Sequence, residues 1–207
     1  MSLFPMFVKL EGRLVVVVGG GEIAAGKIAV LLRAGAKIRL VAPRVHGSLV
    51  PAIQTGKVDW VAREFAAGDL NGAALAIAAT SAPGVNSNVY SEAETRGILC
   101  NAVDDVENCH FYYGSVVERG DLQIAISTNG KSPALAQRLR RELEQQFGSE
   151  YEVWLEWLGA ARELLRAADG GSERTKQVLH HLASRSMYEQ FVKEAGKKSA
   201  TSRRGVA

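Results

Sequence analysis

Apolar residues along this chain first run together and then thin to a helical spacing. Leu14 to Val18 is an unbroken, β-branched stretch closed by Gly19, Gly20 and Gly21, the pattern of a strand buried on both faces of a parallel sheet. Beyond the glycines, Ile23, Ile28, Leu31 and Leu32 share one helical stripe and Gly35 stops it, which predicts a helix over 23–34. Lys37 to Ala42, Val58 to Val61, Ala74 to Ala79 and Ile98 to Ala102 supply four further strands. The helix before the last of them opens on Pro83 and closes at Gly97. Strands alternating with helices imply parallel crossovers, so residues 1–110 are expected to form a Rossmann-type parallel sheet domain.

After about Val103 the pattern changes. Phe111 to Val117 and Leu122 to Ser127 read as two strands joined at Arg119, Gly120 and Asp121, a hairpin turn. Ser132 is placed as an N-cap before Pro133, and Leu135, Leu139 and Leu143 follow at helical spacing with Arg138, Arg140 and Arg141 between them. Residues 150–168 and 172–195 are helical in pattern, with Gly170 and Gly171 as the break. The expectation is an α/β protein: the Rossmann domain, a small α+β module over 111–148, a helical domain over 149–195, and a disordered basic tail over 196–207.

Composition narrows the function classes. With 207 residues, 47% of them hydrophobic, the chain can bury a core without metal or disulfide support. Its two cysteines, Cys100 and Cys109, match no zinc or disulfide spacing and read as buried thiols. The net charge of +3 resides in the tail, where Lys193, Lys197, Lys198, Arg203 and Arg204 face only Glu194. A solvated end of that kind argues against a nucleic-acid partner. No stretch reaches the roughly 18 apolar residues of a membrane span and no signal sequence opens the chain, so a cytoplasmic protein with no membrane partner is expected.

The segment Gly19-Gly20-Gly21-Glu22-Ile23-Ala24 fits G-x-G-x-x-A between a strand and a helix, where missing side chains let a pyrophosphate reach helix N-terminal N–H groups. Gly21 with Gly26 and Lys27 imitates a nucleoside-triphosphate loop, but Ile28 stands where that loop needs Ser or Thr to hold magnesium. No acid closes the second strand to bind an adenosine ribose. Main-chain groups of Ala42, Pro43 and Arg44 are expected to do so, with Arg44 either a 2′-phosphate partner selecting NADP or a solvated loop residue. NAD is the expected cofactor.

Four motifs in order, VVVVGGGEIAAGKIAVLLRAGAKIRLVAP, LAIAAT, NAVDD and IAISTNGKSPALAQRLRREL, resemble the precorrin-2 dehydrogenases, both the stand-alone enzymes and the N-terminal module of siroheme synthases, over about residues 1–150. The resemblance implies a homodimer that oxidises precorrin-2 to sirohydrochlorin with NAD, some members also inserting ferrous iron to give siroheme. It implies that Asp104 is the catalytic carboxylate; by position alone Asp104 and Asp105 are equal candidates for a proton acceptor and for a loop cap. It adds Thr80 to the cofactor set, and Asn101, Ser127, Thr128, Asn129, Gly130 and Ser132 as a surface for a macrocycle bearing carboxylates, the last five leading into a helix N-terminus that favours anions. The chain departs from relatives at Gly114, where proline is frequent, and at Asn129, where glycine is. His110 reads as a packed or hydrogen-bonded residue or as an aid to proton or metal chemistry, and His180 and His181 diverge too far around a helix to form a metal pair. Two other functions fit the first domain: another small NAD-dependent oxidoreductase, and a non-catalytic sensor of NAD(H).

Overall fold

The structure is a computed structural model that describes residues 3–204, with side chains through 194. It divides into two compact units, Leu3–Tyr113 and the chain from Gly114 onward.

The first unit is built on five parallel strands, β1 (Leu14–Val18), β2 (Lys37–Val41), β3 (Val58–Val61), β4 (Leu75–Ala78) and β5 (Leu99–Ala102), in the order β3-β2-β1-β4-β5. Central β1 explains its own composition. Val15 and Val17 join Ile38, Leu40 and Ile77 in one core, and Val16 and Val18 join Ala76, Ala78 and Cys100 in the other, so all four valines are buried. Helix α1 (Glu22–Arg33) contributes Ala24, Ile28 and Leu31 to the first core, and α3 (Pro83–Arg96) contributes Val89 and Ala93 to the second. Gly97 ends α3 in the left-handed conformation at φ 66°, as its position in the sequence suggested. Val18 is in register with Val41 on one side and with Ala78 on the other. The chain therefore leaves β1 where the strand order reverses, the place where ligands of doubly wound sheets collect.

A 3-10 turn (Gly47–Leu49) and short α2 (Val50–Gln54) lie between β2 and β3, in a stretch with no helical periodicity. Ile23 departs from the predicted stripe: it is 55% exposed, because Ala24, Ala25, Ile28 and Leu31 form the buried face of α1 and Ile23 lies off it with exposed Val30.

In the second unit β6 (Ser115–Arg119) and β7 (Leu122–Ile126) pair antiparallel, with Arg119 opposite Leu122, so Gly120 and Asp121 form a two-residue turn and Gly120 takes φ 54°. The sequence placed the first of these strands over 111–117. Phe111 instead packs against the core of the first unit and its carbonyl accepts a hydrogen bond from Asn101 Nδ2 (2.8 Å), which keeps 111–113 out of the hairpin. Helix α4 (Pro133–Gln146) follows, its last turn closed by Arg119, which donates to the carbonyls of Phe147 (2.8 Å) and Glu144 (3.0 Å). Helices α5 (Glu150–Asp169) and α7 (Arg185–Arg204) meet around Tyr151, Trp154 and Tyr188, and α6 (Glu173–Leu182) packs on both. The helix expected over 172–195 is thus two, because the Ser184 hydroxyl accepts from the Met187 N–H and restarts the chain. The expected basic tail, 196–207, shares its backbone with α7 as far as Arg204; its side chains and residues 205–207 lie outside the described residues. No helix among the described residues is long and apolar enough to cross a membrane.

Candidate active site

The glycine turn is shaped by what surrounds it. A Cβ on Gly19, at φ 106°, would stand 2.2 Å from the Ala79 carbonyl oxygen, and one on Gly20 would stand 2.1 Å from that of Arg44. Gly19 N–H donates to Val41 (2.9 Å), and the Gly20 carbonyl accepts from the His46 N–H (2.7 Å). These two glycines are needed for close backbone approach. Gly21 differs: a Cβ there meets nothing within 4 Å. It precedes α1 without any side-chain cap, so the first-turn N–H groups of Glu22 and Ile23, both exposed residues, are left without a side-chain partner. A cradle of bare backbone at a helix N-terminus, with Ala24 packed beneath it, fits the pyrophosphate of a dinucleotide.

Around this cradle, Thr80 follows the end of β4 and is locked to buried Asn86. Its N–H (3.2 Å) and hydroxyl (2.8 Å) both donate to Asn86 Oδ1, while Asn86 Nδ2 donates back to its carbonyl (3.2 Å). Ala42 is buried, with one acceptor position of its carbonyl taken by Trp60 Nε1 (2.8 Å), whereas Pro43 and Arg44 are exposed.

The loop after β5 is tightly tied. Asn101 and Cys109 form a β-bridge, the Cys109 thiol donates to the carbonyls of Ala102 (3.0 Å) and Asp105 (3.1 Å), and His110 N–H donates to the Cys100 carbonyl (2.8 Å). His110 Nδ1 accepts from the Cys100 N–H (2.9 Å), so its proton sits on Nε2, toward Glu94, and its ring stacks on Tyr90. His110 is a fastener of this loop. Burial raises both thiols, Cys100 to about 12.

This loop separates the two neighbouring aspartates. Asp105 is spent on the fold: its carboxylate accepts from Asn108 N–H (3.3 Å) and Asn108 Nδ2 (2.6 Å). Asp104 is exposed, takes the left-handed conformation at φ 61°, and its carboxylate accepts no hydrogen bond among the described residues. Lys27, on the second turn of α1, acts on it through space, and its ammonium lies 3.6 Å from the centroid of the Tyr113 ring. The sequence offered Lys27 only as part of a false triphosphate loop; its proximity to Asp104 is a product of the fold. Asn101 lies elsewhere than an open surface: it is 6% exposed, with Nδ2 donating to the Phe111 carbonyl and to Cys109 Sγ (3.3 Å).

In the second unit, the turn before α4 is largely self-bonded. Thr128 Oγ1 accepts from Ser132 N–H (3.2 Å) and donates to its carbonyl (3.1 Å), Ser127 Oγ accepts from Asn129 N–H (3.2 Å), and Ser132 Oγ caps α4 at Leu135 N–H (3.2 Å). Asn129 sits at φ 52°, a left-handed position that accepts glycine or asparagine, and Gly130 follows at φ 74°. Gly114 has its own cause, since a Cβ there would lie 2.7 Å from the Ile126 carbonyl oxygen. No group of three or more metal-ligating side chains occurs among the described residues.

Comparison with known proteins agrees with this geometry. Residues 6–115 match the family described as "Putative NAD(P)-binding", and residues 119–146 match "Sirohaem biosynthesis protein central". The chain is 42% identical over 171 residues to siroheme synthase 1 of Serratia proteamaculans, covering 81% of this chain and 36% of that protein. It is 34% identical over 200 residues to siroheme synthase 1 of Aeromonas salmonicida, covering 97% and 43%. It therefore spans less than half the length of these curated relatives. Among solved structures, SirC, a precorrin-2 dehydrogenase, matches with a TM-score of 0.77 at 26% identity, over 94% of this chain and all of that one. The resemblance carried by the four sequence motifs stands, and the chain belongs to the NAD(P)-binding family that spans its first half, followed by the central segment of sirohaem biosynthesis proteins.

Proposed function

We propose that this chain oxidises precorrin-2 to sirohydrochlorin with NAD. The observation that carries the reading is Asp104: an exposed carboxylate without a hydrogen-bond partner among the described residues, held in a conformation unfavourable to most residues, just past the carboxyl end of β5. NAD, when bound, supplies a hydride acceptor. Gly21, Glu22 and Ile23 hold its pyrophosphate on backbone N–H groups, and exposed Ile23 offers an apolar wall beside them. Gly19 and Gly20 keep the turn tight, and Thr80, Pro43 and Arg44 border it, with Ala42 beneath. Asp104 receives on a carboxylate oxygen the proton lost as the macrocycle is oxidised. Asn101 acts from beneath by fixing the loop that bears Asp104. The chain works as a cytoplasmic homodimer. Half-exposed Val116 and Leu135 on the hairpin and α4 support a covered face there.

The test is an anaerobic incubation of purified protein with precorrin-2 and NAD, recording NADH and the macrocycle spectrum together. Conversion to sirohydrochlorin with NADH formation is expected. Tight NAD binding without any conversion would instead favour the sensor.

A further inference from the structure

Lys27 lies in the middle of α1, where a lysine would ordinarily extend into water. Here it is half-buried and its Nζ sits 3.6 Å from the centroid of the Tyr113 ring. Among the described residues its ammonium forms no ion pair and no hydrogen bond. An aromatic face attracts a cation but accepts none of its three N–H groups in the way a carboxylate does. The cost of removing this charge from water is thus only partly offset, and burial lowers the Lys27 pKa even though Asp104 and Cys109 act to raise it. The ring fixes where the charge stands: Tyr113 closes the first unit, immediately beyond the loop that bears Asp104. An underpaired cation held on an aromatic face, within electrostatic reach of exposed Asp104, is arranged to receive an anion.

We infer that Lys27, seated on Tyr113, binds a carboxylate of the substrate and so fixes the macrocycle edge beside Asp104. This rests on the proposed oxidation of precorrin-2 and adds a recognition residue to that site. The ligand class is a polycarboxylate tetrapyrrole, and the interaction is a charge-assisted hydrogen bond that binds substrate without taking part in proton transfer.

The experiment compares Lys27→Met, Lys27→Arg and Tyr113→Leu with the wild type, using uroporphyrin as a stable polycarboxylate probe followed by fluorescence quenching, a cationic porphyrin as control, and NAD binding measured separately. Losing one charge-assisted hydrogen bond should weaken uroporphyrin binding about ten- to hundred-fold in Lys27→Met. NAD affinity and cationic porphyrin binding should be unchanged, Lys27→Arg should retain most of the affinity, and Tyr113→Leu, which keeps the charge but loses its seat, should fall between. In turnover with precorrin-2, Lys27→Met should raise KM with little change in kcat. Unchanged uroporphyrin affinity in folded Lys27→Met would overturn the inference, as would equal losses for uroporphyrin and NAD. Should Lys27→Met fail to fold, the Lys27→Arg and Tyr113→Leu results decide the matter: wild-type affinity in Tyr113→Leu, or loss in Lys27→Arg as severe as complete charge removal, counts against it. The two readings fail separately. A wild type that converts precorrin-2 while Lys27→Met keeps its KM retains the dehydrogenase and loses this site. A wild type that binds uroporphyrin through Lys27 without oxidising precorrin-2 retains the site and loses the dehydrogenase.

Discussion

Asp104 combines a proposed catalytic carboxylate with a costly backbone, and substitutions can separate the two. At φ 61° an ordinary L-residue carries a penalty of about 1–2 kcal/mol, which glycine escapes and asparagine or aspartate reduces. No hydrogen bond to the Asp104 carboxylate is lost by removing it. Asp104→Asn should therefore fold with a stability within about 0.5 kcal/mol of the wild type. Asp104→Ala should lose about 1 kcal/mol, and Asp104→Gly should be as stable as the wild type or slightly more so. Activity should follow the charge instead: all three variants should lose at least about 100-fold in kcat with precorrin-2, the scale of a positioned proton acceptor. Urea unfolding gives the stabilities, anaerobic turnover the rates, and titration with NAD should give an unchanged affinity in each. A fully active Asp104→Gly would show that the residue serves only the turn, and the reasoning would fall.

Three further expectations follow from the geometry. Gly19→Ala and Gly20→Ala, whose new methyl groups would overlap backbone oxygens, should each cost about 3 kcal/mol or more, whereas Gly21→Ala should stay within about 1 kcal/mol and weaken NAD binding at least about ten-fold; comparing urea midpoints with NAD titrations separates them. Asp69 accepts from both Arg63 guanidinium nitrogens (2.7 and 2.6 Å) and from the Ala66 N–H (2.8 Å), with Arg63 first among the groups that hold its carboxyl below the ordinary range. Its stabilisation should be complete above pH about 4, the unfolded value, and be lost as pH falls through the lower folded value. Asp69→Asn should thus cost about 1–3 kcal/mol at neutral pH and flatten the acid limb of stability measured by thermal unfolding. His110→Ala leaves the Cys100 N–H without its ring acceptor and should cost about 1–3 kcal/mol, and hydrogen exchange should quicken across 100–110 while NAD affinity holds.

The elements legible in the sequence were those with a local cause. Four valines in a row, all buried, admit only a strand covered on both faces; Gly97 and Ser132 announced their helix boundaries because left-handed caps and hydroxyl caps are written within a few residues. The glycine turn was legible as a motif, but the sequence could not distinguish Gly21, open to a ligand, from Gly19 and Gly20, closed against backbone, since that depends on where β2 and β4 end. The loop over 103–111 was opaque for the same reason. Asn101, Cys109 and His110 bond to partners eight to ten residues away, with no periodicity to reveal them. Asp104 and Asp105 were equivalent by position and are distinguished by Asn108, which engages only the second. Lys27 reaches the neighbourhood of Asp104 and Tyr113 only once α1 lies on the sheet.

The central claim is that one site oxidises the macrocycle with NAD and relies on Asp104. A single turnover with enzyme in excess over precorrin-2, under anaerobic conditions and with saturating NAD, tests it most directly. The account predicts that NADH and sirohydrochlorin appear in equal amounts along one time course in the wild type, and that neither appears in Asp104→Asn although NAD binds as before. Oxidation of precorrin-2 without NADH, or equal progress in the variant, would contradict it.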